Sequence, residues 1–312
     1  MKIKILLTLI LVAITLASCQ QAITPAPSIN VSPTLTAEQK KLTIGVMPAV
    51  DAAPIFLAKD KGYYSALGLD VTIKVFTNAT DRQSALQTNT IDGAMSDMIA
   101  LITNVQGGFD IKGTTLTDGV FPVLIKKNFV EKKNIKVAMM EVSVSNYLAD
   151  KWLGPDHTIE KVFINEIPSR LEMIKAGKVD MGIFPEPMAT MGSTDGIVKK
   201  IYDIKDGYCP DILVFTGRAL STRSMAIGYF HRAYDRAVTD IQKDASLARN
   251  TLITNLNLSP AIKDNITLPE YHLSRLPDTS YTMSIKQWIS SVLKKPVDIS
   301  EADIFNLNYI HK

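Results

Sequence analysis

The stretch LTIGVMPAVDAAPIFLAKDKGYYSALGLDVTIKVF, residues 42–76, decides the fold class. It opens with an apolar strand that ends at a proline, and the next apolar run predicts a helix from Pro54 to about Tyr64. The segment Leu69–Phe76 then alternates apolar and polar residues, as a half-buried strand does. Two more short helices and two more strands continue the order to Leu116. This alternation predicts parallel βαβ units, and hence an α/β fold.

A second set of alternating strands and helices runs from Ile135 to Phe184. The segments 83–95 and 171–183 are alike, because each contains a short amphipathic helix, a turn, an aspartate and a buried strand. We therefore predict two similar α/β lobes with a ligand cleft between them. Two hinge crossings, at 128–134 and 205–210, would join the lobes.

The C-terminal third is predicted to be helical and to cover the first lobe. Its apolar residues recur at helical spacing, for example in Ser224–Ile241, which indicates core packing. The predicted division of the chain is a signal peptide at 1–18, a tether at 19–41, a first lobe formed by 42–128 with 210–312, and a second lobe at 129–209.

The N-terminus has the pattern of a lipoprotein export signal. Lys2 and Lys4 precede an apolar run over 5–17, which is too short to remain as a membrane-spanning helix. The run ends in Leu-Ala-Ser-Cys at 16–19, and a lipoprotein signal peptidase requires small residues before its cysteine. The sequence predicts cleavage before Cys19 and its acylation with fatty acids such as palmitate, enough for stable anchoring. An ordinary signal peptide with a chance cysteine is the alternative.

The segment after Cys19 predicts a disordered tether. Residues 20–40 are rich in Gln, Thr, Ser and Ala, contain Pro25, Pro27 and Pro33, and show no apolar periodicity. The globular part would thus be exported and held at the cell membrane through the lipid anchor only. It would face the periplasm or the cell exterior.

The composition argues against several classes of function. The formal charge is +3, and removal of Lys2 and Lys4 leaves 3 − 2 = +1, which does not indicate a nucleic-acid partner. Apart from Cys19 the only cysteine is Cys209, so we expect no internal disulfide and interpret Cys209 as a small buried residue rather than a reactive thiol. The four histidines lack metal-ligand spacing, so we expect no metal and no cofactor.

Several phrases of the sequence resemble one protein family. They are PIFLAKDKGYY at 54–64, GLDV at 68–71, ALQ and IDGA within 85–94, PEP at 185–187, and LP and SRLP within 268–277. In order and spacing they are similar to the periplasmic binding proteins for nitrate, sulfonates, taurine and thiamine precursors, over nearly all of 42–312. The usual LKGK before the second lobe is reduced to VEKKNI at 130–135, which leaves the first crossing less defined.

The resemblance implies a two-lobed, type II periplasmic-binding-protein-like fold. It also implies a monomer that binds a small molecule and has an ABC permease and its ATPase as partners. In α/β sheets, ligands bind beyond the carboxyl ends of the strands, at loops that lead into helix N-termini. This rule, with the geometry of the family, selects six loops. The candidate ligand-binding residues are Asp51, Ala52, Asp81, Arg82, Ser96, Asp97, Thr115, Ser143, Ser145, Asn146, Tyr147 and Glu186.

The charges in these loops predict the kind of ligand. Helix N-termini can hold an anion, and the cluster of Ser143, Ser145 and Asn146 fits that role or a simple N-cap. Acids nevertheless outnumber bases, which favours a neutral or amine-bearing ligand, with Tyr147 as a stacking face for a heteroaromatic ring. The acids are Asp51, Asp81, Asp97, Glu141 and Glu186, against Arg82.

The sequence thus predicts a solute-binding lipoprotein that captures a small organic molecule by lobe closure and delivers it to a permease. A lipoprotein that senses the ligand and signals to a membrane partner is one alternative. An enzyme on the same fold is another. No GxSxG, HExxH or GxxxxGK[ST] motif is present, so no catalytic residue is predicted.

Overall fold

The computed structural model describes residues 35–203 and 207–310. The strands are β1 (Lys41–Val46), β2 (Asp70–Val75), β3 (Gly93–Asp97), β4 (Ile111–Thr117), β5 (Val123–Ile125), β6 (Asn134–Met139), β7 (Thr158–Phe163), β8 (Met181–Ile183), β9 (Val198–Lys200) and β10 (Asp211–Thr216). The α-helices are α1 (Ala53–Asp60), α2 (Tyr63–Ala66), α3 (Ala79–Gln87), α4 (Met98–Gln106), α5 (Val144–Leu153), α6 (Ile167–Lys175), α7 (Met188–Gly192), α8 (Gly217–Thr222), α9 (Ser224–Lys243), α10 (Ser246–Asn255), α11 (Thr279–Leu293) and α12 (Glu301–Ile304). The signal peptide, Cys19 and the tether up to residue 34 lie outside the described residues. The folded part begins before the predicted boundary at 42, because Leu35 is buried in the core and Lys41 begins β1.

The strands form two five-stranded sheets, one for each lobe. The first sheet has the order β2-β1-β3-β10-β4, and the second has the order β7-β6-β8-β5-β9. In the first sheet β10 runs antiparallel to β3 and β4, and in the second β5 runs antiparallel to β8 and β9. The other pairs are parallel. The predicted two-lobed α/β fold is confirmed.

The first crossing lies earlier than the sequence indicated. The expected crossing at 128–134 left strand 121–126 before the second lobe, but Val123–Ile125 pairs with β8 and β9 in the second sheet. The chain therefore passes between the lobes after Thr117, where β4 ends, and before Val123. The return passage lies between Lys200 and Asp211, an interval that includes the expected 205–210.

The aspartate shared by the two similar segments has the same role in each lobe. Asp92 precedes β3, and its Oδ2 accepts a hydrogen bond from the Thr43 backbone N–H at 2.8 Å. Asp180 precedes β8, and its Oδ2 accepts one from the Lys136 N–H at 2.9 Å. Each aspartate thus joins the start of a central strand to its neighbour.

Helices cover both faces of the first sheet. On one face α1, α9 and α10 bury an apolar cluster in which the rings of Tyr64 and Phe230 stack at 5.1 Å. On the other face α4 and α11 pack together, with Ile99 and Ile285 fully buried. The C-terminal helices therefore cover the first lobe, as their apolar periodicity predicts. Within the described ranges, no helix combines the length and the apolar character needed to cross a bilayer.

Candidate functional site

A narrow cavity lies between the two sheets. It is lined from the first lobe by Met47, Ala49, Asp51, Ala79, Arg82, Met95, Ser96, Asp97 and Asp211, and from the crossing and second lobe by Phe121, Met140, Ser143, Val144, Ser145, Ile167, Arg170, Ile183 and Pro185. Its volume is about 60 Å³, and a water molecule needs roughly 10–15 Å³ on this measure, so it holds about four to six waters. The cavity is mostly apolar, with a few charged groups at defined positions.

Cross-lobe contacts close the cavity. The Val50 backbone N–H donates to the Glu186 carbonyl oxygen at 2.7 Å, and Ala49 pairs with Pro187 as an isolated antiparallel bridge. On the same side, Lys199 Nζ donates to the Asn265 carbonyl oxygen at 3.0 Å. These contacts join the second lobe directly to the first, so the structure represents a closed arrangement.

Asp51 lies just before α1, and one of its carboxylate oxygens has no hydrogen-bond partner among the described residues. Its Oδ2 accepts a hydrogen bond from the Thr117 hydroxyl at 2.8 Å, whereas Oδ1 has no partner among the described residues. Burial raises the pKa of Asp51 to about 6, and the Thr117 hydrogen bond only partly opposes this. The side chain is therefore about half protonated near pH 6, more than two pH units above the midpoint of an ordinary aspartate.

Asp97 and Arg82 lie together on the same wall. Asp97 caps α4 by accepting a hydrogen bond from the Ala100 N–H at 2.8 Å. Burial raises the Asp97 pKa, while the positive charge of Arg82 lowers it. Burial also lowers the Arg82 pKa, but the carboxyl groups of Asp97, Asp211 and Asp51 favour its charged form. Arg82 is thus a buried cation surrounded by acids.

Asp211 is a cavity residue that the sequence did not select. Burial, together with the nearby Asp51, raises its pKa well above the usual value. The Cys209 thiol donates to its Oδ2 at 3.4 Å, and burial raises the thiol pKa well above its usual value. Asp211 begins β10 and lies opposite Asp97 in the antiparallel register. Because β10 is antiparallel, its amino end reaches the edge where parallel strands place their carboxyl ends, so a rule based on carboxyl ends misses it.

Arg170 is the second cavity residue that the sequence did not select. It lies on α6, is 1% exposed, and has no hydrogen-bond partner for Nε or Nη1 among the described residues. Its guanidinium carbon is 5.3 Å from the centre of the Phe184 ring. Burial alone lowers the Arg170 pKa to about 10. A signal for it existed, because the alignment of Gln83 with Leu171 in the two similar segments places Arg82 opposite Arg170.

The serine cluster at the start of α5 is partly satisfied by its own hydrogen bonds. Ser143 and Ser145 both line the cavity, and their hydroxyl oxygens are 2.7 Å apart. Ser145 Oγ also accepts from the Met140 N–H at 3.0 Å. Asn146 is buried beside them, donates to the Glu141 carbonyl oxygen at 2.7 Å, and leaves Oδ1 without a described partner. This arrangement fits an N-cap more closely than a free anion seat.

The structure brings Asp51, Arg82, Ser96, Asp97, Ser143 and Ser145 together at the cavity. The remaining candidates lie outside its lining. Asp81 is exposed and accepts from Asn78, Ala52 is buried beneath the wall, and Thr115 donates to the Arg275 carbonyl oxygen. Tyr147 packs edge-on against Trp288 at 5.5 Å. Glu186 is fully buried and forms an ion pair with Lys199 at 2.7 Å.

The charge balance therefore differs from the one expected from the loops. Of the five loop acids, Asp51 and Asp97 line the cavity, and Asp211 joins them. Arg82 and Arg170 supply two cations instead of one. The raised pKa values of the acids further reduce the negative charge, so the cavity is not the acid-dominated site that the sequence indicated.

This fold is similar to that of solved ligand-binding components of ABC importers. The chain is similar to such a component from Staphylococcus aureus with zinc bound, at a TM-score of 0.76 and 15% identity over 86% of this chain and 97% of that one. It is also similar to the alkanesulfonate-binding protein SsuA from Xanthomonas axonopodis pv. citri, at a TM-score of 0.67 and 16% identity over 82% and 92% of the chains. The nitrate-binding protein NrtA from Synechocystis PCC 6803 gives a TM-score of 0.64 and 11% identity over 82% and 86%. The resemblance to periplasmic binding proteins is confirmed at the level of the fold.

The chain belongs to the NMT1-like family, whose model matches residues 35–197. A curated relative is the riboflavin-binding protein RibY from Chloroflexus aurantiacus, 28% identical over 148 residues. That match spans 44% of this chain and 40% of the length of RibY.

Proposed function

We propose that this chain is the solute-binding lipoprotein of an ABC importer, which captures a small organic molecule by lobe closure and delivers it to a permease. The supporting observation is a cavity enclosed by both lobes in which polar atoms have no partner among the described residues. These atoms are Asp51 Oδ1, Arg82 Nε, and Arg170 Nε and Nη1.

Unpaired buried polar groups link ligand binding to closure. A buried donor or acceptor without a partner costs free energy, and a buried charge costs more. Closing the empty cavity imposes this cost, whereas a ligand that bonds to both walls removes it. The ligand therefore stabilises the closed state by its contacts with both lobes, as hinge-bending binding requires.

The relatives support a binding role. RibY is named for riboflavin, SsuA for alkanesulfonates and NrtA for nitrate, and each of these names describes a binding protein. The closed cavity of about 60 Å³ fits a molecule the size of one substituted ring more readily than a large cofactor.

A thermal-shift screen on the full chain in detergent tests the binding function. The panel holds single-ring amines and carboxylates, pyrimidines, amino acids, sulfonates, nitrate and riboflavin. A true ligand raises the unfolding midpoint, and at one hundred times its Kd it adds about 2.7 kcal/mol of stability. One ligand molecule should bind per chain, and the ligand should be recovered chemically unchanged. A chemically altered compound would contradict a binding role.

The lipid anchor is tested separately. The native chain should partition with the membrane fraction and carry acyl chains on Cys19, as mass spectrometry of the N-terminal peptide would show. Cys19→Ala removes the thiol that would be acylated, so this variant should carry no acyl chains at that position. An unmodified Cys19 in the mature chain would contradict the anchor.

A further inference from the structure

The two walls of the cavity differ in polarity. Asp51, Asp97 and Asp211 all belong to the first lobe, where Arg82 lies among them. The second lobe contributes Arg170, which forms no ion pair with any described acid and whose pKa is lowered by burial. The acids and the uncompensated cation thus face each other across the cavity.

Arg170 is held in place without being neutralised. Its guanidinium lies over the Phe184 ring, a contact that orients the group and leaves its N–H donors available. Its Nε and Nη1 have no partner among the described residues, and the side chain is 1% exposed, so in the closed cavity only enclosed water or a ligand can accept from these donors. A planar guanidinium with free donors matches a carboxylate or another planar anion.

Asp51 offers the complementary group on the opposite wall. Its Oδ2 is bonded to Thr117, while Oδ1 is a buried acceptor without a partner. A ligand amine or ring N–H directed at Oδ1 would satisfy it. One compact ligand can therefore contact both walls if it carries an acceptor at one end and a donor at the other.

We propose that Arg170 determines the specificity of the site, and that the ligand is a compact, single-ring molecule with an anionic group on Arg170 and a hydrogen-bond donor on Asp51. This inference rests on the proposed solute-binding function and names its ligand class. It also gives Arg170 a second effect, because closure of the empty cavity buries its charge and so favours the open state until the anion arrives.

Calorimetry on the full chain in detergent, with matched probes, tests the ligand class. The probes are 4-aminobenzoate, 4-aminobenzamide, which lacks the charge, and benzoate, which lacks the donor. Wild type should bind 4-aminobenzoate at least tenfold more tightly than either of the others. Arg170→Met should remove the preference over 4-aminobenzamide, and Asp51→Asn should reduce the preference over benzoate. Lys175→Gln, an exposed change on the same helix, should alter neither preference.

The outcomes separate this inference from the proposed function. If other compounds of the wider screen bind but none of the three probes does, the ligand class is overturned and the binding function stands. If no compound binds at all, both are overturned. An unchanged preference for 4-aminobenzoate in Arg170→Met refutes the role of Arg170.

Small-angle scattering without ligand gives a test that needs no probe. Arg170→Met removes the uncompensated charge, so the empty variant should adopt a smaller radius of gyration than empty wild type. Lys175→Gln should match wild type. An empty Arg170→Met variant as extended as wild type contradicts the effect on closure, and a normal urea midpoint for that variant shows that it is folded.

Discussion

Replacing Asp51 by asparagine should stabilise the protein in a way that depends on pH. The pKa of Asp51 is about 6 in the folded protein against 3.8 for the unperturbed group. At 1.36 kcal/mol for each pH unit, the difference of about 2.2 corresponds to about 3 kcal/mol. Because the folded pKa is the higher one, the folded state holds the proton more tightly, and the charged form of Asp51 opposes folding.

The direction of the pKa shift determines the pH range in which Asp51 destabilises the folded protein. Well below pH 3.8 Asp51 is protonated in both states and costs nothing, and the cost grows between about pH 4 and 6 and is nearly complete above that range. The stability of Asp51→Asn relative to wild type should therefore rise by up to about 3 kcal/mol from pH 4 to pH 7.5. The assay is urea unfolding at several pH values, without ligand.

A constant difference between the two proteins at every pH would refute this reasoning. An unpaired amide at this position would shift all values equally and leave the slope unchanged. Thr117→Val is a useful companion, because it removes a hydrogen bond that lowers the Asp51 pKa, and should make the pH dependence steeper.

Three further substitutions test the packing of the closed structure, each by urea unfolding at pH 7. Lys199→Met leaves the fully buried Glu186 without its cation and should cost about 3–5 kcal/mol. Trp288→Phe removes the indole N–H bond to Asp150 Oδ2 at 2.9 Å, which joins α11 of the first lobe to α5 of the second, and should cost about 1 kcal/mol. Phe230→Ala opens a cavity in the first core, where the side chain is fully buried, and should cost about 3–5 kcal/mol.

Each of these three substitutions has its own control or contradicting outcome. Adding Glu186→Gln to Lys199→Met should recover much of the lost stability, and no recovery would mean that Lys199 acts through its contacts with Asn265 and Thr267 instead. Phe230→Leu should cost less than Phe230→Ala, since it leaves a smaller void. A Trp288→Phe variant as stable as wild type would show that the indole hydrogen bond contributes nothing.

The fold was predictable because its signals are local. Each lobe contains a short helix, a turn, an aspartate and a buried strand. Asp92 and Asp180 each accept a hydrogen bond from the backbone of a neighbouring strand. The first crossing was misplaced because Val123–Ile125 is a short apolar strand, and nothing local tells which sheet it joins. Such a choice depends on long-range pairing.

The site was predictable only where it follows parallel strands. Asp51, Arg82 and Asp97 come from such loops and line the cavity. Asp211 enters from an antiparallel strand, and Arg170 lies in the first turn of α6, which follows none of the six selected loops. The sequence shows which side chains occupy a loop but not which way they point, as Tyr147 illustrates by packing against Trp288 rather than facing the cavity.

The position of β10 has a consequence for the order of folding. The second lobe uses a continuous stretch, from β5 to β9, whereas the centre of the first sheet is completed by Asp211–Thr216, which the ribosome adds last among the strands. Until β10 is added, β3 and β4 each have a strand edge whose backbone groups lack hydrogen-bond partners. The first lobe therefore completes its sheet after the second lobe does. A chain stopped before residue 211 keeps two unpaired strand edges that can pair with a strand from another molecule.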